Sequence, residues 1–275
     1  MIFDGIVLLS DIDGTLATYE RKILPKNIEA VEYFTKNGGR FGIATGRTGH
    51  SAARIVSQMA VNCPCLVVNG GVIYDYQKEH PLFASYLDHA VISFFHKIIE
   101  QVPNIGIEIN NDGVLQCVKY STHSYDHVMY EFGEFTQYTL EDIPEDSKWL
   151  KVLFTGYPEE IDRLSELCDD LISPDAPYYV VRSEATYLEL LPKEANKGRA
   201  LVRLADMLQV PIENMYAIGD YYNDLDLLAA AGCSAAVAGA PNELLAVTDY
   251  VTCPCEDGAV ADFINYIEQK LKSRL

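Results

Sequence analysis

The apolar run Gly5-Ile6-Val7-Leu8-Leu9 leads straight into the acidic hexapeptide Asp11-Ile12-Asp13-Gly14-Thr15-Leu16. An apolar run of this length, closed by turn chemistry, reads as a strand buried on both faces and ending in a loop. Such strands belong to parallel sheets flanked by helices, and the residues that follow keep to that plan. Pro25 stands near the start of a helix with Ile28, Val31 and Phe34 on one face, and Gly38-Gly39 follow its end. The short strand Phe41-Gly42-Ile43-Ala44 stops at Thr45-Gly46-Arg47. A second amphipathic segment with Ala52, Ile55, Val56 and Met59 leads to the strand Leu66-Val67-Val68, which ends at Asn69-Gly70-Gly71. This β-α-β-α-β order is the signature of a doubly wound, Rossmann-like parallel sheet.

The alternation changes character between residues 84 and 186. A helix carrying Val91, Phe94, Phe95, Ile98, Ile99 and Val102 precedes two strands, Ile105 to Ile109 and Val114 to Val118, joined through Asn111-Asp112-Gly113. Asn-Asp-Gly between apolar runs is a hairpin signal. A strand at Leu150 to Phe154 and a helix from about Glu159 to Leu171 then precede strands at Tyr178 to Arg182 and Tyr187 to Leu191. Helix plus hairpin thus occurs twice, as in an open-faced α+β domain. After Pro192 the β-α-β pattern resumes, with a helix from Lys197, the strand Met215-Tyr216-Ala217-Ile218 and a helix from Asn223. Further strands at Ala235 to Ala238 and Tyr250 to Thr252 precede a last helix, from about Asp257 to Leu271. The expected architecture is an α/β core, residues 1–83 and 187–275, with an inserted α+β domain at 84–186. A chain of 275 residues has ample length for both.

In open parallel sheets, ligands bind outside the carboxyl ends of the strands. Asp11 and Asp13, Thr45, Asn69 and Asp220 all stand at such ends, and Lys197 opens a helix beside them. Carboxylates two residues apart oppose one another's ionisation. An acidic turn would explain Asp-x-Asp alone, but a divalent cation relieves the repulsion and prefers oxygen ligands. A Mg²⁺ site is therefore expected, with Asp11, Asp13, Asp220 and Asp224 as candidate ligands. Asp11 is the candidate nucleophile on phosphorus and Asp13 the candidate acid and base. Thr45 and Gly46 offer a hydroxyl and amides to phosphoryl oxygens at a helix start. Lys197 is either a solvated helix-start lysine or a cation reaching into the crevice to neutralise phosphoryl charge. In Gly219-Asp220-Tyr221-Tyr222-Asn223-Asp224, Asp220 would ligate the metal, Asp224 would hold a metal-bound water or orient Lys197, and Asn223 could donate to phosphate. A helix N-cap accounts for one of those three residues. Thr15 reads as a capping hydroxyl, and Arg47 as a contact either to substrate or to a nearby carboxylate.

Taken in order, Asp-Ile-Asp-Gly-Thr, Ala-Thr-Gly-Arg, Asn-Gly-Gly, Lys-Gly and Gly-Asp-x-x-Asn-Asp resemble the motif set of the haloacid dehalogenase superfamily. The whole chain is most similar to its Cof-type sugar-phosphatase branch, which carries a large α/β cap between the third core strand and the motif lysine. The resemblance implies Mg²⁺-dependent phosphoryl transfer through Asp11, with Asp13 as acid and base, Thr45 and Lys197 on phosphate, and Asp220 on the metal. It also implies a cap that closes over a small phosphorylated metabolite, sugar phosphates first, and supplies specificity. Where the family often has Gly-Asn-Ala, this chain has Gly239-Ala240-Pro241-Asn242, so an asparagine contact is lost unless Asn242 replaces it. Two other readings share the motifs: a phosphomutase, and a sensor that binds a phosphorylated ligand without turnover.

A formal charge of −19 argues against nucleic acid and anionic membranes as partners. An anionic substrate stays open, because a metal ion and a lysine can reverse the local field. Seven cysteines scattered through the chain read as reduced cytosolic thiols. The two Cys-Pro-Cys pairs, Cys63/Cys65 and Cys253/Cys255, are expected at opposite ends of the sheet, too far apart to share zinc. Met1-Ile2-Phe3-Asp4 lacks a basic leader region and no apolar stretch reaches membrane-spanning length, so a cytoplasmic protein is expected. In the inserted domain, Lys119, Arg182 and His123 are polar candidates for substrate contact, although each residue type is more often a solvated surface group. Nothing in the sequence bears on oligomeric state.

Overall fold

The computed structural model of the chain describes residues 1–111, 114–131, 136–143 and 146–273. The first apolar run forms strand β1 (Val7–Ser10), buried at every position. Helix α1 (Pro25–Lys36) has proline in its first turn, where the missing N–H costs nothing, and buries Val31 and Phe34. Strand β2 (Arg40–Ile43) follows, then helix α2 (Gly49–Val56), capped by the Thr48 side chain, which accepts from the Ser51 amide. The cap is thus Thr48 rather than the Thr45 end of the preceding strand. Strand β3 (Cys65–Val67) adjoins β2 through a parallel bridge between Ala44 and Leu66. It then pairs antiparallel with β4 (Val72–Asp75), and β5 (His80–Ala84) completes a small sheet that the periodicity did not announce.

The next stretch is a separate compact unit, Ala84–Ala195. Helix α3 (Ile92–Gln101) and strands β6 (Gly106–Asn111) and β7 (Val114–Lys119) fall where the sequence places them. Residues 112 and 113 of the expected hairpin turn lie outside the described residues. Helix α4 (Thr122–Glu131), the short β8 (Thr136–Gln137), β9 (Trp149–Thr155), helix α5 (Pro158–Leu171), β10 (Tyr178–Glu184) and β11 (Tyr187–Pro192) complete it. The sheet order is β10-β11-β9-β6-β7-β8. One sheet face carries Ile107, Ile109, Val152, Phe154, Leu188 and Leu190, which pack with Phe95 and Ile98 of α3 and with Ile161 and Leu164 of α5.

The expected boundary at residue 187 needs correction. Strand β11 hydrogen-bonds to β9 and β10, so residues 187–195 belong with the second unit and the first resumes at Asn196. Alternating apolar residues at Tyr187 to Leu191 suit either sheet. Only the pairing partners decide.

The first unit, Met1–Phe83 with Asn196–Leu275, then adds helix α6 (Lys197–Leu208), β12 (Met215–Gly219), α7 (Leu225–Ala230), β13 (Cys233–Ala236), α8 (Asn242–Leu245), β14 (Tyr250–Val251) and α9 (Ala259–Lys272). Its parallel sheet runs β14-β13-β12-β1-β2. Ser10 is in register with Ile43 on one side and Ile218 on the other, so the chain leaves β1, β2 and β12 at the same edge. The cysteine pairs lie near β3 and beyond β14, at opposite ends of the sheet, and all seven cysteines are free thiols. Burial pushes the Cys63 thiol up to about 12, which makes it a poor ligand or nucleophile at neutral pH. Among the described residues, no helix is long and apolar enough to cross a membrane.

Candidate active site

The shared strand register brings Asp11, Thr45 and Asp220 to one end of the first unit's sheet. Asp11 follows β1 and is 6% exposed; its amide bonds the Ile218 carbonyl, which locks the loop onto β12. Lys197, the first residue of α6, is 1% exposed, so the solvated-surface reading of this lysine fails. Its Nζ donates to Asp11 Oδ1 at 2.8 Å and to Asp224 Oδ1 at 2.6 Å. Asp224 is fully buried, and its other oxygen accepts from the amides of Asp220 at 3.1 Å and Tyr221 at 3.4 Å. It sits in a 3-10 turn, Tyr222–Asp224, ahead of α7, rather than in a helix opened by Asn223. Of the two expected partners of Asp224, a metal-bound water and Lys197, the contact to Lys197 is present.

Asp220 closes the group. Its Oδ1 accepts from Thr15 Oγ1 at 2.6 Å, so Thr15 is a second hydroxyl of the site rather than a helix cap. Gly14 explains how the two loops come so close. It has φ +83°, and a Cβ there would lie 2.4 Å from Asp220 Oδ2. Carboxylate oxygens of Asp11, Asp220 and Asp224 lie within 4.8 Å of one another, close enough to hold one metal ion.

The electrostatics say what this trio lacks. Burial, opposed by Lys197 and reinforced by Asp224 and Asp220, holds the Asp11 carboxyl well above the usual carboxylate range. Burial and then Asp224 push Asp220 up to about 7, against the Thr15 hydrogen bond. Burial opposes the charge on Lys197 too, but Asp11 and Asp224 overcome it and hold the ammonium firmly protonated. One lysine therefore faces two buried carboxylates and a half-buried third. A hard divalent cation with oxygen ligands is the chemistry that balances them, so the residues fit the metal expected from the sequence.

Asp13, expected as a fourth metal ligand, lies outside the trio. Arg47 grips its carboxylate with both arms, Nε to Oδ2 at 2.7 Å and Nη2 to Oδ1 at 2.5 Å. Of the two contacts expected for Arg47, the one to a carboxylate is thus present in the structure. The Arg47 side chain is 10% exposed and that of Asp13 is 43% exposed. Thr45 is buried at the end of β2, where its hydroxyl accepts from the Arg47 amide at 3.1 Å, and Gly46 is half-buried beside it. Asn223 donates from Nδ2 to Asn69 Oδ1 at 3.2 Å. Asn69 sits in a strained stretch, with Val68 at φ 53° and itself at 52°, followed by Gly70 at 83°. Left-handed backbone at a β-branched residue costs about 1–3 kcal/mol, and strain of this kind gathers at functional sites. Gly70 has no alternative, since a Cβ there would lie 2.7 Å from the Asn196 carbonyl.

Sequence reasoning undervalued Thr15 and overlooked the Asn69–Asn223 bond. A hydroxyl directly after the glycine of the acidic loop was the available signal for the first; for the second there was none, because the partners are 154 residues apart. Asn242 lines a cavity of about 500 Å³ together with Tyr19, Asp220 and Tyr222, so it does stand beside the site. Two of the three polar candidates in the second unit are engaged within that unit. Lys119 bonds the carbonyls of Pro103 and Ile105, and Arg182 bonds Asp162 and the carbonyls of Glu184 and Ala185. The His123 ring packs edge-on against Tyr157.

The family model of haloacid dehalogenase-like hydrolases matches residues 8–264. A putative phosphatase of Haemophilus influenzae is 25% identical over 92% of this chain and 95% of its own length. The 5-amino-6-(5-phospho-D-ribitylamino)uracil phosphatase YwtE of Bacillus subtilis is likewise 25% identical, over 94% of this chain and 96% of its own. Among solved structures, a haloacid dehalogenase-like hydrolase from Bacteroides thetaiotaomicron superposes with a TM-score of 0.81 at 23% identity, covering 95% of this chain and 99% of that one.

Proposed function

The chain belongs to the haloacid dehalogenase-like hydrolase family, and from that premise we propose that it is a Mg²⁺-dependent phosphomonoester hydrolase working through an aspartyl-phosphate on Asp11. The observation that carries this reading is Lys197, fully enclosed and bonded to both Asp11 and Asp224 beside Asp220. A buried ammonium among three carboxylates is a poor stability device, since breaking even with hydrophobic packing is the usual best such a group achieves. It is a good preorganised site for transferring an anionic group.

Asp11, Asp220 and Asp224 would hold the metal, which when bound supplies positive charge to the phosphoryl oxygens. Asp11 attacks phosphorus with a carboxylate oxygen, and the bond from phosphorus to the leaving alcohol breaks. Asp13 gives its proton to that alcohol. Asp13 then takes a proton from water as the water oxygen attacks phosphorus, freeing phosphate and restoring Asp11. For this work one oxygen of Asp13 has to come off Arg47, which holds both in the structure. Lys197 favours the ionised form of Asp11 against the effect of burial and holds it in place, and the Thr45 hydroxyl, the Gly46 amide and Asn223 receive the phosphoryl oxygens.

Small phosphorylated metabolites, sugar phosphates first, are the proposed substrates. The name of the Bacillus relative, which describes a phosphoribityl compound as substrate, supports that order. The test is phosphate release from a panel of sugar and polyol phosphates with and without Mg²⁺. Asp11→Asn should lower turnover by roughly a thousandfold or more with the circular dichroism spectrum unchanged. Near-normal hydrolysis by that variant would remove Asp11 as nucleophile.

A further inference from the structure

Three consecutive residues after β3 hold left-handed backbone: Val68 at φ 53°, Asn69 at 52° and Gly70 at 83°. Hairpin chemistry explains two of them. Strands β3 and β4 are antiparallel, with Val67 in register with Val72, and the Gly71 amide closes the turn on the Val68 carbonyl at 2.9 Å. The turn favoured in such hairpins puts both central residues, here Asn69 and Gly70, at positive φ, and Asn-Gly is its preferred sequence. It asks nothing similar of the residue before them, and a β-branched valine suits that backbone badly.

What the extra reversal at Val68 achieves is a set of contacts away from the hairpin. The Val68 amide donates to the Arg47 carbonyl at 2.8 Å and the Asn69 amide to the Thr45 carbonyl at 2.9 Å. The turn is thereby fastened to the loop that carries the Thr45 hydroxyl and the Gly46 amide. Asn69, 2% exposed, reaches a second element with its side chain, where Oδ1 accepts from Asn223 Nδ2 at 3.2 Å. One buried turn thus ties together two pieces of the chain assigned to the phosphoryl oxygens.

The side-chain bond has a direction that matters. A carboxamide rotates readily about its last bond, and its two ends differ, one donating and one accepting. Presented the wrong way round, Asn223 would turn a carbonyl oxygen toward an anionic phosphoryl group. The acceptor at Asn69 Oδ1 engages one N–H of Asn223 Nδ2, and the same nitrogen has a second N–H to give.

We propose that Asn69 is a positioning residue for phosphoryl transfer, whose side chain orients the Asn223 amide nitrogen toward the phosphoryl group without itself touching the substrate. The inference rests on the phosphatase reading, in which Asn223 receives phosphoryl oxygens. Two variants separate the side chain from the backbone. Asn69→Gly keeps the left-handed turn and deletes the acceptor, whereas Asn69→Ala deletes the same acceptor and puts a Cβ on that backbone. Loss of one orienting hydrogen bond should lower kcat/KM for the best sugar phosphate of the panel about five- to tenfold, and weaken competitive inhibition by inorganic phosphate by a like factor. Both variants should show this loss equally, although Asn69→Ala should melt lower than Asn69→Gly. In an Asn223→Ala chain, already impaired, adding Asn69→Gly should change either quantity by less than about twofold, because the group it orients is gone. Losses that follow the melting temperatures, full activity in Asn69→Gly, or an undiminished effect of Asn69→Gly in the Asn223→Ala chain would each overturn the role of Asn69 and leave the phosphatase reading standing. A parent chain that, with Mg²⁺, neither hydrolyses any ester of the panel nor binds inorganic phosphate would overturn both.

Discussion

Replacing Lys197 with methionine keeps the length of the side chain and deletes its charge. In the folded chain Lys197 Nζ lies 2.8 Å from Asp11 Oδ1 and 2.6 Å from Asp224 Oδ1, with no solvent exposure of its side chain. Taking one partner out of a buried ion pair costs about 3–5 kcal/mol, because the remaining charge is stranded without water. In a chain of this size, that corresponds to a drop in Tm of roughly 6–20 °C. The loss should depend on pH in a defined direction. At pH 7.5 the variant must either keep two adjacent buried carboxylates ionised or bind protons in place of the ammonium, and both are costly. At pH 5 protons are cheap, so the penalty shrinks. Differential scanning calorimetry of the metal-free protein and variant at both pH values measures this directly. A Tm change below about 2 °C at pH 7.5, or an equal loss at the two pH values, would refute the reasoning that this lysine is the internal counter-ion of the site.

Two further outcomes follow from the same geometry. Folding raises the Asp220 carboxyl from the ordinary 3.8 to about 7 and raises Asp11 as well, so the folded state holds these protons more tightly than the unfolded chain. Their stabilising contribution is therefore full below the ordinary value and is lost as pH climbs through about 7. Metal-free protein should accordingly become less stable over that range, while Mg²⁺ at a hundred times its Kd should restore about 2.7 kcal/mol at pH 7.5 and less at pH 5. Thermal melts across pH with and without Mg²⁺ check this, and an equal Mg²⁺ effect at both pH values would contradict it. Gly14→Ala puts a Cβ at 2.4 Å from Asp220 Oδ2 on backbone at φ +83°. It should cost about 1–3 kcal/mol of stability and raise the Mg²⁺ concentration needed for half-maximal activity at least tenfold; unchanged Mg²⁺ dependence would show that Asp220 has room to move.

The parallel core was largely legible before the structure, because buried parallel strands leave uninterrupted apolar runs and their ends leave polar motifs at predictable places. β1, β2, β3 and β12 lie within a residue or two of where periodicity puts them. β11 was assigned to the wrong unit, since an alternating strand shows which residues are buried but not which sheet buries them. The site divides along the same line. Asp11, Asp220 and Asp224 belong to motifs whose chemistry is local, and their roles could be framed from residue type and spacing. That Lys197 is sealed off, that Thr15 binds Asp220 and that Asp13 is gripped by Arg47 all depend on separations of 186, 205 and 34 residues along the chain. No local pattern encodes such meetings.

The central claim is that phosphorus is bonded to Asp11 in the course of turnover. It is tested most directly by mixing the Mg²⁺-loaded enzyme with a hydrolysable sugar phosphate, quenching in acid within a turnover, and locating the added phosphoryl group by peptide mass spectrometry. The account predicts a phosphoryl adduct on Asp11 that appears before phosphate is released and is absent from the Asp11→Asn variant. Full turnover with no adduct at any time, or an adduct on another residue, would contradict it.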